Sequence, residues 1–312
     1  MNIHFWGVRG SLPAPLTPQQ IRAKISAAIQ RVQPKDIATE DARERFIASL
    51  PSWLYGTTGG NTPCIEVTSS GGTKIILDAG TGIRMLGKYG EPPKNMRYNI
   101  LLSHFHWDHI QGLPFFDPLY NEKSVINFYS PFDNMQSLFH EQMREPFYPV
   151  TMETCTQHLS FNTIEQKKDV MIGDVQVRTI EMPHPGKSFA YSLIEGGRKF
   201  VYATDIELNH PDFERTKEHD AFFMNADALV IDSQYTVEEA YAKQGWGHSA
   251  FCYAIDFAVA WKVKKLYLFH HDPMYDDRKL NSILQSALWY ADYSAKNAVQ
   301  IELAMEGVEF KL

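Results

Sequence analysis

Three histidines and one aspartate lie within six residues of one another, directly after a short apolar run at residues 100–102. In an extended chain, alternate side chains share a face, so His104 and His106 can bind the same cation. The turn that follows directs Asp108 and His109 to another side. Two groups of donor atoms that point in two directions predict two metal ions at the end of a buried strand.

Further polar residues stand where apolar, strand-like segments end. Polar side chains at the ends of buried strands meet at one edge of a sheet sandwich, which would place them beside the histidine-rich stretch. These candidates are His184, Asp205, Asp232 and His270. The histidines without such a position, which we interpret as structural or exposed, are His4, His140, His158, His210 and His219.

The last candidate leaves a choice between neighbours, because His271 follows His270 directly. Strand alternation puts the two side chains on opposite faces. Both faces of the preceding strand, Leu266–Phe269, are apolar, so the pattern alone does not choose between them.

A glycine-rich loop at residues 78–82 begins with an aspartate. This loop lacks the sequence of a nucleotide-binding loop. Histidines that bind metal usually donate their other N–H to a carboxylate or a carbonyl. We therefore expect Asp78 to support one of the neighbouring histidines.

Strand-like and helix-like segments are arranged in two halves, each with strands followed by helices. This order predicts an α/β fold with helices outside paired sheets. The last predicted strand, Val299–Leu303, would close the chain. No linker rich in Ser, Gly or Pro divides residues 1–312, so we predict a single domain.

Residues 13–55 differ from the rest of the chain and predict a two-helix insertion within that domain. The first helix would begin at Thr17 as N-cap, with Pro18 at its first position and Gln20 at its third. The second would begin at Thr39. The segment could pack outside the core, cover the active site or form a homodimer contact.

Composition limits the choice of partners and compartment. The formal net charge is −7, and binding to long nucleic acid is not favoured without a concentrated positive surface. The three cysteines form no C-x-x-C pair, which fits a reducing compartment. Neither an export signal nor a membrane-spanning apolar run is evident, so we expect a cytoplasmic protein without a membrane partner.

The pattern His104-x-His106-x-Asp108-His109, followed by His184, Asp205 and His270, resembles the motifs of the metallo-β-lactamase-fold hydrolases. Two segments resemble its phosphodiesterase branch, which includes ribonuclease Z and cyclic-nucleotide phosphodiesterases. They are Asp108-His109-Ile110-Gln111-Gly112-Leu113-Pro114 and Gly247-His248-Ser249. The resemblance covers nearly the whole chain apart from residues 13–55, and it implies a four-layer αββα sandwich with a dinuclear site at one edge.

The resemblance also implies a division of the metal ligands. It assigns His104, His106 and His184 to one ion, and Asp108, His109 and His270 to the other, with Asp205 as the bridge. The choice of His270 over His271 follows the family pattern. Imidazole and carboxylate ligands without thiolates suit two Zn²⁺ ions, and Mn²⁺ or Fe²⁺ fit the same ligands.

The chemistry expected of such a site is hydrolysis of a phosphodiester. Two divalent ions acidify a shared water, which yields a hydroxide that attacks phosphorus, and Asp108 would serve this step as well as binding metal. We predict His248 as the general acid for the leaving group, because its intrinsic pKa is near neutrality. Asp232 could orient that imidazole or cap its strand. The helix that begins beside His248 would add backbone donors for a phosphate oxygen.

The predicted substrate is a small anionic phosphodiester, most simply a cyclic nucleotide, because residues 13–55 do not resemble the basic arm with which ribonuclease Z proteins bind transfer RNA. Two alternatives remain. A lactone or thioester hydrolase could use the same dinuclear centre, and a metal-stabilised scaffold could bind nucleotide without turnover.

Overall fold

The computed structural model describes residues 1–155, 158–295 and 298–312. Within these ranges the chain forms fourteen β-strands and ten α-helices. The strands are β1 (Asn2–Gly7), β2 (Cys64–Thr68), β3 (Lys74–Leu77), β4 (Arg97–Leu101), β5 (Val125–Ser130), β6 (Leu159–Thr163), β7 (Val170–Ile172), β8 (Val175–Met182), β9 (Ser188–Glu195), β10 (Arg198–Ala203), β11 (Ala228–Asp232), β12 (Lys265–Phe269), β13 (Gln300–Leu303) and β14 (Glu309–Lys311). The helices are α1 (Pro18–Ile29), α2 (Glu40–Ser49), α3 (Ser52–Tyr55), α4 (Gly82–Tyr89), α5 (Trp107–Ile110), α6 (Met135–Gln142), α7 (Lys217–Phe223), α8 (Val237–Ala242), α9 (Phe251–Ala260) and α10 (Asp277–Ala295).

The strands form two seven-stranded sheets. The first has the order β14-β1-β2-β3-β4-β5-β6, and the second has the order β13-β12-β11-β10-β9-β8-β7. Strands β3 to β6 run parallel to one another, as do β10 to β13. Parallel neighbours end at the same edge of their sheet, so the loops after β4, β10, β11 and β12 can meet.

Three apolar clusters separate the layers. The central one lies between the sheets and contains Phe5 of β1 and Tyr267 of β12. A second cluster packs α4 and α6 on the outer face of the first sheet, and a third packs α7, α9 and α10 on the second. The predicted αββα sandwich is therefore confirmed.

The helices of residues 13–55 connect β1 to β2. The predicted start of α1 is confirmed, since the Thr17 side chain accepts a hydrogen bond from the Gln20 N–H and the Gln20 side chain bonds back to Thr17. No residue of α1 or α2 is buried. The apolar stripe of α1 is 46% exposed at Ile21 and 64% exposed at Ile29, and the role of residues 13–55 stays a prediction.

Some details differ from the sequence-based expectations. The strand predicted at Val299–Leu303 does not close the chain, because β14 follows it and pairs antiparallel with β1. A third short helix, α3, adds to the two predicted in residues 13–55. Among the described residues, no helix is long and apolar enough to cross a membrane. That the whole chain is a single domain stays a prediction.

Candidate metal centre

The seven predicted metal ligands converge on the edge where the parallel strands end. His104 and His106 follow β4, and the single turn of α5 then carries Asp108 and His109. The remaining three arrive from the second sheet, after β8, β10 and β12. They are His184, Asp205 and His270.

The converging side chains form two sets of donor atoms that share Asp205. The first donor group is His104, His106 and His184, and the second donor group is Asp108, His109 and His270. With the shared carboxylate, the donor atoms of each group lie within 4.8 Å of one another. Their grouping matches the division of ligands that the family resemblance implied.

The second donor group is compact and fully buried. Nε2 of His109 and Nε2 of His270 lie 3.0 Å and 3.1 Å from Oδ1 of Asp205. Nε2 of His270 is also 3.1 Å from Oδ2 of Asp108. The Nε2 atoms of the two rings face each other at 3.3 Å, so several lone pairs point into one small space, as they do around a cation.

The first donor group fits a cation by a different observation. Nε2 of His104 is buried and has no hydrogen-bond partner among the described residues, although a buried polar atom normally has one. Nδ1 of His106 and Nε2 of His184 face each other at 3.1 Å. An orphaned nitrogen beside two facing imidazole nitrogens indicates a set of metal ligands.

Each braced histidine is held through its other ring nitrogen. His109 Nδ1–H donates to Oδ2 of Asp78 over 2.8 Å, as expected from the sequence. His270 Nδ1–H donates to Oε1 of Gln234 over 2.9 Å, and His184 Nδ1–H donates to the carbonyl of Gly247 over 2.8 Å. These bonds fix the tautomer that leaves Nε2 free to bind metal.

Sequence reasoning missed Gln234 and the Gly247 carbonyl as supports. A usable signal existed for Gln234, which lies two residues after the strand-end Asp232. A backbone carbonyl carries no sequence signal. The structure also distinguishes the two adjacent histidines, since Nε2 of His271 donates to the Ala304 carbonyl over 2.9 Å and only His270 reaches the donor groups.

Burial and neighbouring charges set the pKa values of the donor residues. Burial lowers the pKa of His104, His106 and His184, so their rings are neutral and can offer lone pairs. Burial by itself would raise the pKa of Asp205, but the histidines around it, His109 first, lower the pKa well below its usual range. The shared carboxylate is therefore ionised, as metal binding requires.

Three residues of the site have left-handed backbone conformations, which non-glycine residues adopt rarely. The φ angles are 61° at Asp78, 49° at Asp205 and 60° at His270. Each residue directly follows a strand or stands one residue beyond it. The left-handed turn ends the strand sharply and directs the side chain to the shared edge.

His248 lies next to both donor groups. The centroid of its ring lies 5.5 Å from the ring centroid of His184 and 4.9 Å from that of His270. His248 Nδ1–H donates to Oδ2 of Asp232 over 2.6 Å. Burial by itself would lower the pKa of His248, but the Asp232 carboxylate raises it to about 9. The Asp232 carboxylate thus holds the His248 ring in place through Nδ1.

The helix start beside His248 differs from the expectation. The N–H of Ser249 donates to Oδ1 of Asp232 over 3.1 Å, and the N–H of Phe251 donates to the carbonyl of Tyr235. These backbone donors are engaged within the protein, so they are not the phosphate-binding donors predicted from the sequence.

Comparison with known proteins defines the class. The family described as the β-lactamase superfamily domain matches residues 73–271, which include all seven donor residues and His248. The chain belongs to the metallo-β-lactamase superfamily, whose members include metal-dependent hydrolases.

Individual relatives are more distant. A probable metallo-hydrolase of Bacillus subtilis, YhfI, is 26% identical over 60% of this chain and 73% of its own length. Ribonuclease Z of Picrophilus torridus is 24% identical over 68% of this chain and 80% of its own length. The crystal structure of Zn²⁺-bound PqqB from Methylobacterium extorquens is 14% identical, covers all of both chains and has a TM-score of 0.67, which shows the shared fold.

Proposed function

We propose that the protein is a dinuclear-metal phosphodiesterase with a small nucleotide, most simply a cyclic nucleotide, as its substrate. The observation that carries this proposal is the His248–Asp232 pair at 2.6 Å beside both donor groups. An alcohol leaving group needs a proton, and a protonated imidazole next to the metal ligands can supply it. The likeness to ribonuclease Z adds support, because RNA is a phosphodiester.

The metal ligands proposed for this activity are the seven donor residues. His104, His106 and His184 would hold one divalent ion, and Asp108, His109 and His270 the other, with Asp205 shared. Zn²⁺ suits these ligands, and Mn²⁺ or Fe²⁺ fit them too. When bound, such ions acidify water and neutralise charge that develops on phosphoryl oxygens.

The protein's own residues would handle the leaving group. Hydrolysis joins the oxygen of water to phosphorus and breaks the bond from phosphorus to the leaving oxygen. His248 would donate its Nε2 proton to that oxygen, and a proton from the water would later replace it. Asp232 keeps the ring in position and stabilises its positive charge through Nδ1–H.

The test compares two diesters after reconstitution with Zn²⁺ or Mn²⁺. Opening the ring of cyclic AMP leaves an alkoxide that needs a proton, whereas bis(p-nitrophenyl) phosphate releases a stable phenolate. We expect Asp205→Ala to abolish turnover of both. His248→Ala should reduce cyclic AMP turnover by about 100-fold or more and affect the nitrophenyl ester much less.

The pH dependence gives a second criterion. Because protonated His248 is the active form and its pKa is about 9, cyclic AMP turnover should fall as the pH rises through 9. In Asp232→Asn the fall should move towards the ordinary histidine pKa of about 6.5. If both diesters resist hydrolysis while two metals are bound, the phosphodiesterase proposal is wrong and lactones and thioesters become the substrates to test.

A further inference from the structure

A cavity of about 670 Å³ opens beside His248, within the range of about 300–1,000 Å³ that is usual for small-molecule sites. Its walls are the loop after Asp205, helix α8 and the beginning of α9. His248 lines the cavity, whereas none of the seven donor residues does. His248 therefore borders both this cavity and the donor groups.

The position of this cavity matters because of what a general acid does. His248 would give its proton to the oxygen of the leaving group, so the leaving group must lie against His248. A phosphoryl group at the donor residues would place the leaving group beside His248. The cavity is a space next to His248 with room for such a group.

Aromatic side chains in the cavity have faces free for a ligand. Tyr241 is 85% exposed and Tyr253 is 42% exposed, although both line the cavity. Phe213 adds an apolar surface to the same wall. Exposed tyrosine rings beside a catalytic group are suited to stacking on a flat ring such as a nucleobase.

Carboxylates line the cavity beside His248. They belong to Glu207 and Glu238, and among the residues that the structure describes no lysine or arginine lines it. Glu207 accepts hydrogen bonds from the N–H groups of Gly245 and Gly247 at 2.8 Å each, which fixes the turn before His248. Carboxylates can accept hydrogen bonds from hydroxyl groups but repel a second phosphate.

We infer that this cavity is the binding site for the leaving group of the substrate and that it accepts a single uncharged nucleoside, with Tyr241 and Tyr253 stacking on the base and Glu238 excluding further phosphates. The inference rests on the proposed phosphodiesterase function. It makes mononucleotide diesters and dinucleoside monophosphates substrates, and it disfavours longer oligonucleotides, whose leaving strand carries more phosphates.

The experiment compares ApA with pApAp on the metal-loaded enzyme. ApA releases an uncharged nucleoside whichever ester bond breaks, whereas pApAp always releases a phosphorylated one. We expect kcat/KM for ApA to be about tenfold higher or more, because the Glu238 carboxylate repels the additional phosphate of the leaving group. In Glu238→Gln, the ratio of kcat/KM for ApA to kcat/KM for pApAp should be smaller than in the wild-type enzyme.

The aromatic residues are tested in parallel. Tyr241→Ala and Tyr253→Ala should each raise KM for ApA about tenfold, because stacking on a base contributes roughly 1–3 kcal/mol. Tyr241→Phe keeps the ring and should keep the wild-type KM. Tyr89→Ala is the matched control, because Tyr89 is 63% exposed and lies on α4 outside the cavity.

Bis(p-nitrophenyl) phosphate separates the two levels of failure, since its hydrolysis reports the metal centre. If this ester is hydrolysed but ApA and pApAp react equally, and both alanine variants match Tyr89→Ala, the cavity assignment alone is wrong. If no diester is hydrolysed by the metal-loaded protein, the proposed function is wrong and the assignment falls with it.

Discussion

The two donor groups share a carboxylate but are held very differently. All members of the second donor group are buried, whereas His106 of the first is exposed; the side chain of His184 is itself buried. In the second group, His109 and His270 are braced by the side chains of Asp78 and Gln234. In the first group, His184 is braced by a backbone carbonyl in a glycine-rich turn.

Additional contacts reach the second donor group from the beginning of the chain. The N–H of Ser11 donates to Oδ2 of Asp108 over 2.8 Å. Arg9, two residues before Ser11, is buried, and its guanidinium donates to the carbonyls of Gly59, Asp272 and Tyr275. We therefore expect the two positions of one centre to differ in metal affinity. The second donor group, which is buried and braced, should hold its metal tightly, and the first should exchange its metal more readily.

The largest expected effect comes from the residue common to both groups. Asp205→Ala should weaken metal binding at both positions by more than about 100-fold, because losing a ligand exceeds the effect of losing a supporting bond. Metal content after dialysis measures this, with the exposed Asp133→Ala as control. Retention of both metals would contradict the assignment of Asp205 as the shared ligand.

Alanine in place of one glycine should disturb only the first group. A Cβ at Gly247 would collide with the His184 ring, and Gly247 has a φ of 88°. Gly245 has nearly the same φ, 83°, with nothing near its Cβ, so Gly245→Ala separates backbone strain from the collision. We expect Gly247→Ala to lose about tenfold or more in affinity at the first position, measured from zinc occupancies by anomalous diffraction.

The converse change addresses the second group. Gln234→Leu removes the acceptor for His270 Nδ1–H and should lower affinity at the second position by about tenfold. The exposed Gln136→Leu serves as its control. In a chelator titration, the second position should lose its metal at a lower chelator concentration in Gln234→Leu than in the wild-type protein. Gln136→Leu should behave like the wild-type protein. An unchanged chelator concentration in Gln234→Leu would refute the role of bracing in the difference.

The smallest effect on the metal centre should come from replacing Asp277, which lies 3.9 Å from the guanidinium of Arg9. Asp277 pairs with Lys24 of α1 at 2.5 Å and accepts the N–H of Thr58. Asp277→Ala leaves buried partners unpaired and should cost about 3 kcal/mol in the free energy of unfolding, measured with denaturant. The metal occupancy of the first donor group should stay unchanged.

The same carboxylate has a predictable pH dependence. Burial by itself would raise the pKa of Asp277, but Lys24 and the Thr58 N–H lower it below the ordinary value. The stabilisation is therefore present above about pH 4 and is lost as the pH falls through the lowered pKa. The difference in unfolding free energy between the wild-type protein and Asp277→Ala should therefore shrink as the pH falls through this interval.

The donor residues were predictable because each is a polar residue at the end of an apolar strand, and strand ends share an edge. Asp78 was predictable for the same reason. The exposure of Ile21 and Ile29 was not, because helical spacing shows that apolar residues share a face but not what covers it. Strand β14 was missed because three residues are too short for an alternation pattern.

The acidic cavity was also beyond sequence reasoning. Glu207, Glu238 and Tyr241 come from separate segments that the fold brings together, and none belongs to a motif. Polar residues on a helix such as α8 are usually a solvated face, and only the packing of α8 beside His248 places them in the wall of the cavity.

The left-handed backbone at Asp78, Asp205 and His270 lowers the stability of the fold, although the metal centre needs these side chains. Such a conformation costs about 1–2 kcal/mol per residue for side chains other than glycine. Glycine at Asp205 or His270 would relieve the strain and remove a group that the centre needs, whereas glycine at Asp78 would also leave the buried donors of Ser103 and Tyr202 without their acceptor. A library screened only for folding should therefore accumulate glycine at Asp205 and His270 but not at Asp78.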